Sequence, residues 1–153
     1  EFMKQMKEAR IETQFMGTFY SSDVAIVQKM GEVADGYLGV NAYNYFNDDS
    51  VKGPVMDYLR KVNTKYRTNS YFQPITNIML GVEGMKRALA AGKELTGPNI
   101  KAAINTIKGL DTGGIIGAPV DYPGNSTNLG RIYRANFKAG KMEPVSEWIK
   151  SEV

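Results

Sequence analysis

The sequence contains neither cysteine nor histidine among its 153 residues. These two absences exclude thiol nucleophiles, histidine general bases, Ser-His-Asp triads and zinc sites built on thiolate or imidazole. An enzyme built on this chain would therefore need carboxylate, lysine or tyrosine chemistry. The chain also forms no disulfide, which is compatible with the cytosol and equally with the many periplasmic proteins that lack disulfides.

Strong charge bias and long apolar runs are missing as well. The 19 Lys and Arg against 16 Asp and Glu leave a net charge of +3, too small for the concentrated basic face of a nucleic-acid binder. No apolar run is long enough to span a membrane, and the first residues show no signal-peptide pattern. Because the chain starts on Glu1-Phe2, we expect it to be a trimmed piece of a longer protein.

The first part of the chain predicts a strand, a helix and a second strand. A polar helix tail at 3–10 precedes an apolar segment at 12–19 that predicts a strand. Ser21, Ser22 and Asp23 are all suitable N-caps for a helix that Gly36 ends, and 37–46 predicts the second strand. A βαβ unit of this kind predicts two parallel strands in an α/β sheet.

Three amphipathic helices follow without an intervening strand, at 51–66, 74–91 and 100–108. The longest carries one apolar stripe: Ile75, Ile78, Met79, Val82, Met85 and Leu89. A glycine-rich loop region then leads into a predicted β-hairpin around Ala139-Gly140. The helices need an apolar surface to cover, and two strands and a hairpin are too few for a three-layer α/β domain. We therefore expect part of the fold to be encoded elsewhere.

Two motifs that could indicate ligand binding are better explained by a structural role. Gly113-Gly114 with Gly117 matches neither phosphate-loop pattern and is typical of turns. The basic run Arg60, Lys61, Lys65 and Arg67 is interpreted as the solvated face of one helix. We predict no catalytic residues, no metal site and no cofactor.

The strongest candidate site lies where the two strands end. Ligands of open α/β sheets bind beyond the carboxyl ends of strands, next to helix N-termini. Mixed aromatic and polar side chains there suit a pocket that needs stacking surface and oriented hydrogen bonds. The alternative, that these aromatics only cover the end of the sheet, is equally compatible with the spacing. The predicted ligand-binding residues are Thr18, Phe19, Tyr20, Ser21, Asn41 and Tyr43.

An ordered series of motifs resembles one known family. RIETQFMGTFYSSD (10–23), a helix, and EVADGYLGVNAY (32–43) resemble the distal lobe of the type I periplasmic solute-binding proteins of ABC transporters, the leucine/isoleucine/valine-binding family. ALAAG (88–92), LDTGG (110–114), the hairpin and VSEW (145–148) follow in the order of that family's C-terminal portion. The resemblance covers nearly the whole chain.

The resemblance implies a C-terminal fragment of a two-lobe protein whose lobes are three-layer αβα units. Residues 1–41 would form the second part of the C-terminal lobe, 42–46 a hinge crossing, 47–127 helices covering the N-terminal lobe, and 128–153 the return crossing and a C-terminal-lobe hairpin. A solute would bind between the lobes, close the hinge and be presented to an ABC permease. The parent would be periplasmic, or lipid-anchored and extracellular, and would not be an enzyme.

Phe19 departs from the family pattern. Branched-chain amino-acid binders carry an acidic residue there for the ligand's ammonium group, and an aromatic ring offers only a cation–π face worth about 1–2 kcal/mol when dry. We therefore expect a less amine-dependent ligand, such as an aromatic or aliphatic carboxylic acid, stacked on Phe19 and Tyr20.

Two alternative functions are compatible with the sequence. A ligand-sensing regulatory domain of the same fold would use the same residues, and a small self-standing α/β enzyme is a third hypothesis. We also expect the apolar helix stripe to drive an isolated chain into a homodimer or an exchanged dimer.

Overall fold

The computed structural model describes residues 1–122 and 126–151. Its helices are α1 (Phe2–Glu8), α2 (Val24–Met30), α3 (Pro54–Val62), α4 (Asn69–Ala90) and α5 (Gly97–Ile104). Its strands are β1 (Met16–Gly17), β2 (Leu38–Asn41), β3 (Leu129–Asn136), β4 (Lys141–Pro144) and β5 (Ile149–Lys150). In this part of the chain the strands pair in the order β1-β2-β3-β4, with β5 also pairing with β3.

The predicted strand–helix–strand unit is present, with shorter strands than expected. β1 and β2 are parallel, with Met16 opposite Leu38. Asp23 is the N-cap of α2, as its residue type predicted, since its side chain accepts a hydrogen bond from the Ala25 amide at 2.9 Å. The α-helix ends at Met30, earlier than predicted, and continues as a 3₁₀-helix over Gly31–Ala34.

The expectation that the second strand runs on to residue 46 was wrong. β2 ends at Asn41, whose side-chain oxygen accepts a hydrogen bond from the Tyr43 amide at 3.1 Å. This local bond between an Asn side chain and the amide two residues on closes a turn that competes with the strand ladder. Residues 42–46 therefore leave the sheet and pass into the interior, where Asn44, Tyr45 and Phe46 are buried.

The predicted hairpin is confirmed. β3 and β4 are antiparallel with Asn136 opposite Lys141, and Gly140 in the connecting turn has φ +62°, a conformation that favours glycine. β3 also pairs antiparallel with β2, so the hairpin extends the sheet begun by β1 and β2.

The long helix begins earlier than its sequence indicated. We expected it to start near Pro74, because proline is favoured in a first turn, but α4 starts at Asn69 and contains Pro74. Proline at this position removes one hydrogen bond to the carbonyl of Ser70. The start is held instead by Asp23, whose carboxylate accepts the Asn69 amide from 46 residues away along the chain at 2.9 Å. α3 and α5 are likewise displaced from their expected ranges, 51–66 and 100–108.

Within the described residues, most of the buried apolar side chains form two clusters, and Leu80, Ala88 and Ile107 belong to neither. The first core comprises Val24, Val27, Ala34, Tyr45, Tyr133, Ala135 and Met142. The second core comprises Phe46, Met56, Leu59, Phe72, Ile115, Ile116 and Val120. The neighbours Tyr45 and Phe46 belong to different cores, and Tyr66 packs against both. The segment 42–46 is therefore where the chain passes from one core to the other.

Half of the apolar stripe predicted for the long helix is exposed, while Ile75 and Met79 pack against the second core. Ile78, Val82 and Leu89 are 66, 39 and 59% exposed. The face that is buried carries Phe72, Thr76, Leu80, Gly84 and Ala88. Small residues on that face let α5 approach closely, since a Cβ added to Gly84 would lie 2.4 Å from Cγ1 of Ile104. α4 thus packs on α5 through one face and presents an apolar stripe on another.

Arg60 is not part of a solvated face, which corrects the interpretation of the basic run. Its guanidinium donates hydrogen bonds to the backbone carbonyls of Phe46 (3.0 Å), Val51 (2.6 Å) and Asp48 (2.7 Å). Five donors in a planar fork allow one arginine to satisfy several carbonyls of an irregular segment. Arg60 therefore fixes the chain between the crossing and α3.

Arg60→Met should reduce the free energy of unfolding by about 2–3 kcal/mol, because the three backbone carbonyls that accept its hydrogen bonds lose a charged donor. Lys61→Met, on the exposed neighbouring position, is the matched control and should change it by less than about 0.5 kcal/mol. Urea unfolding followed by circular dichroism measures both, and equal effects would contradict the role assigned to Arg60.

Candidate functional site

The loop after β1 folds into a short 3₁₀ turn, Phe19–Ser21. The carbonyl of Thr18 accepts hydrogen bonds from both the amide and the hydroxyl of Ser21, at 3.0 and 3.1 Å. Ser21 Oγ in turn accepts a hydrogen bond from the Tyr37 hydroxyl at 2.9 Å. The Ser21 hydroxyl is thus oriented by its own chain, while Thr18 is exposed.

Phe19, Tyr20 and Tyr43 lie together, as the candidate site requires. Phe19 makes edge-to-face contacts with Tyr20 and Tyr43, with ring centroids 5.2 and 5.7 Å apart. Tyr20 is 82% exposed, and Tyr43 is half-buried with its ring 6.3 Å from that of Phe72. Burial raises the pKa of the Tyr43 hydroxyl. The Tyr43 hydroxyl is therefore a neutral group at neutral pH.

Asn41 lies behind this aromatic group rather than on its surface. Its side chain is fully buried, and its oxygen holds the Tyr43 amide. In this arrangement Asn41 positions the backbone that carries Tyr43.

A surface depression of about 210 Å³ adjoins the aromatic pair. One wall is formed by Phe19, Tyr20 and Asp23, and the opposite wall by Thr68, Asn69 and Ser70 at the start of α4. This second wall was not expected from the sequence, because the long helix was predicted to start only near Pro74. The available signal was that these residue types are also the favoured helix N-caps.

The carboxylate of Asp23, which borders the depression, is already engaged by its own chain. Oδ1 accepts hydrogen bonds from the Ala25 amide (2.9 Å) and the Tyr66 hydroxyl (3.2 Å), and Oδ2 accepts one from the Asn69 amide. It thus lies at the N-termini of both α2 and α4, where the helix dipoles favour a negative charge. Burial raises the pKa of the Tyr66 hydroxyl, and the negative charge of Asp23 raises it further.

The glycine-rich loop serves the second core. The carbonyl of Gly113 accepts hydrogen bonds from the Val55 and Met56 amides in the first turn of α3, both at 3.0 Å. Gly113 and Gly114 have φ values of +62° and +94°, which only glycine adopts readily. This loop is turn geometry that caps a helix, as its sequence indicated.

Metal-binding clusters and membrane-spanning helices are absent from the described residues. No group of three or more Asp and Glu side chains lies close enough together there to hold a metal ion. None of the helices in that part of the chain combines the length and apolarity that crossing a membrane requires.

Comparisons with known proteins identify the fold. No protein-family model matches the chain, and no curated protein is significantly similar to it in sequence. Among solved structures, a branched chain amino acid ABC transporter protein from Thermus thermophilus with bound valine matches with a TM-score of 0.76 at 20% identity, over 98% of this chain and 42% of its own.

Two other structures match over the same part of the chain. A leucine binding protein from Thermotoga maritima has a TM-score of 0.74 at 11% identity, with 97% of this chain and 41% of its own covered. A fatty acid ABC transporter substrate-binding protein from Thermomonospora curvata has a TM-score of 0.69 at 15% identity, with 98 and 40% covered. The chain therefore has the α/β fold of the type I solute-binding proteins of ABC transporters and spans about two fifths of their length.

Asp23→Ala should reduce the free energy of unfolding by about 2–3 kcal/mol, through the lost N-cap of α2 and the unpaired Asn69 amide at the start of α4. Asp23→Asn keeps an acceptor for the cap and should cost less. Asp49→Ala is the control, since Asp49 is 89% exposed and its ion pair with Lys141 at 3.5 Å contributes at most about 0.5 kcal/mol. Urea unfolding distinguishes them, and a loss for Asp23→Ala no larger than the control's would contradict this assignment.

Proposed function

We propose that this chain is the C-terminal portion of an exported solute-binding component of an ABC transporter. One observation carries the proposal: 97–98% of the chain superimposes on proteins of this kind at TM-scores of 0.69–0.76, so the likeness extends through every described element. The parent would be periplasmic, or lipid-anchored and extracellular, with an ABC permease as its partner. Like the proteins it resembles, it would bind and deliver a solute without chemical conversion.

The proposed division of the chain between two lobes is supported by its two cores. Residues 1–41 and 128–153 would belong to the C-terminal lobe, whose side chains build most of the first core. Residues 47–127 would cover the N-terminal lobe, and they build most of the second core. The proposed hinge crossing, 42–46, contains the neighbours Tyr45 and Phe46, which enter different cores.

The proposed ligand site is the loop after β1 together with Tyr43. Phe19 and Tyr20 would stack on the solute, Thr18 or Ser21 would hydrogen-bond to it, and Asn41 would hold Tyr43 in place. The N-terminal lobe would supply the remaining contacts. A solute that touches both lobes only in the closed form stabilises that form, which is how binding would close the hinge.

The ligand class is proposed from the residue type of Phe19 and the aromatic surface it shares with Tyr20. A bound ammonium group is best held by a carboxylate in direct contact, and Phe19 supplies none. The oxygens of Asp23, which borders the depression, are engaged by two helix amides and the Tyr66 hydroxyl, although its charge remains. We therefore favour an aromatic or aliphatic carboxylic acid over an amine-dependent small amino acid, and a fatty acid binder is among the structural neighbours.

The exposed apolar stripe of α4 also needs to be covered in the intact protein. We propose that strands of the N-terminal lobe, encoded upstream, cover Ile78, Val82 and Leu89. These three side chains lie on one side of α4, and a contiguous apolar patch of this kind is rarely left exposed to water. An isolated chain would instead bury the stripe as a homodimer or exchanged dimer, and light scattering showing a monomer would contradict this.

A ligand-sensing regulatory domain of the same fold is the second candidate. Hinge closure and the same site residues would serve it equally, because only the output partner differs. The neighbouring genes distinguish the two functions, since a transporter needs a permease and a sensor needs a signalling component.

Calorimetry on the full-length parent tests the ligand class. Phe19→Ala should weaken binding of an aromatic carboxylic acid at least about tenfold, because a stacking face is lost. Phe19→Glu should weaken it further and introduce affinity for leucine or valine, whose ammonium group gains a counter-charge. Phe2→Ala, at an exposed aromatic of α1, is the control and should leave the affinity unchanged.

The opposite pattern would defeat the ligand assignment. Tight leucine or valine binding by the unaltered parent, combined with no affinity for aromatic or aliphatic acids, would show that Phe19 does not set the ligand class.

A further inference from the structure

A second surface depression, of about 360 Å³, lies away from the loop after β1. Its walls come from the segment before α3 at 50–52, from the glycine-rich loop at 111–119, and from Arg131 of β3 together with Trp148. It shares no lining residue with the depression beside Phe19. The two depressions are therefore separate candidate sites.

Arg131 and Trp148 form one wall of this second depression. The guanidinium carbon of Arg131 lies 5.9 Å from the centroid of the Trp148 ring and 5.8 Å from that of Tyr133. Arg131 Nε donates a hydrogen bond to the Ser146 carbonyl at 2.8 Å. A guanidinium has five N–H donors, so this one backbone bond orients the group and leaves donors for a ligand. Arg131 is thus held in place at the depression before any ligand arrives.

The charges that line the depression favour a singly charged anion. Lys52 and Arg131 are positive and Asp111 is negative, so the charges of the lining sum to one positive charge. None of the three forms an ion pair with another described residue. Asp111 Oδ1 accepts a hydrogen bond from the Gly113 amide at 2.8 Å, which ties this carboxylate to its own loop. Its negative charge opposes a doubly charged anion such as phosphate more than a carboxylate.

The remaining walls are partly apolar. Val51, Ile116 and Pro119 line the depression together with the indole of Trp148. Gly117 allows the indole to pack closely, since a Cβ at this position would lie 2.6 Å from Trp148 Nε1. Apolar walls with a few placed polar groups are typical of sites for small organic molecules, and an aromatic wall offers a stacking surface. An inorganic anion would leave these walls unused.

We propose that this depression is a second ligand site, which binds a small aromatic carboxylic acid as its carboxylate. The guanidinium of Arg131 pairs with the carboxylate, the geometry for which arginine is best suited, and Lys52 adds a second positive charge. The aromatic body of the ligand packs against Trp148. The site is built from its own residues and does not depend on which solute binds beside Phe19.

Fluorine NMR of the full-length parent labelled with 5-fluorotryptophan tests the site with benzoate as the probe. Trp148 is the single tryptophan of this chain, and loss of one signal in Trp148→Phe identifies its resonance. Benzoate should shift that resonance saturably, and Arg131→Gln should weaken the affinity at least about tenfold, because a charged donor is lost. Arg134→Gln, at an exposed position of the same strand, is the matched control and should leave the affinity unchanged.

A second variant keeps the test decisive if Arg131→Gln does not fold. Lys52 is exposed, so Lys52→Gln should leave the fold intact and weaken benzoate binding about threefold. Inorganic phosphate should shift the Trp148 resonance only at higher concentration than benzoate. No saturable shift with benzoate, tighter binding of phosphate, or an affinity unchanged in Lys52→Gln would overturn the proposal.

Phe19→Ala separates this site from the proposed solute site. The shift of the Trp148 resonance should have the same midpoint in Phe19→Ala as in the unaltered parent, because Phe19 does not line this depression. A midpoint that moves with Phe19→Ala would show that benzoate acts through the loop after β1, which contradicts a second site and leaves the proposed solute-binding function standing.

Discussion

The carboxylate of Asp23 is the interaction on which the rest of the arrangement depends. It holds the first turn of α2 through Oδ1 and the first residue of α4, 46 positions further along the chain, through Oδ2. The positive ends of two helix dipoles point at this partly buried carboxylate and stabilise its negative charge. The same hydrogen bonds engage both oxygens of the carboxylate that borders the depression beside Phe19.

The joint between the two cores is polar, whereas the cores themselves are apolar. Tyr45 and Phe46 carry the chain from one core to the other, while Ser22, Asn69 and Tyr66 bind across the same point through directional hydrogen bonds. Hydrogen bonds hold their partners at defined angles, so the contact between the two cores is directional at this point.

Local patterns predicted the local structure well. The βαβ order, the Asp23 cap and the hairpin turn at Gly140 all follow from residue types within short windows. The errors lie where a distant partner decides. Asp23 moves the start of α4 from Pro74 to Asn69, and three distant carbonyls turn Arg60 inward. The early end of β2 at Asn41 was local, and the missed signal was the Asn side chain two residues before Tyr43.

The central proposal is that this chain is one part of a two-lobe solute-binding protein. Its helices would pack on strands encoded upstream, and the loop after β1 would contact the solute. A crystal structure of the intact parent with its solute measures this most directly. The account predicts Ile78, Val82 and Leu89 buried under strands of the other lobe, and the solute in contact with Phe19 and Tyr20. A stripe still exposed to solvent, with the solute held elsewhere, would contradict it.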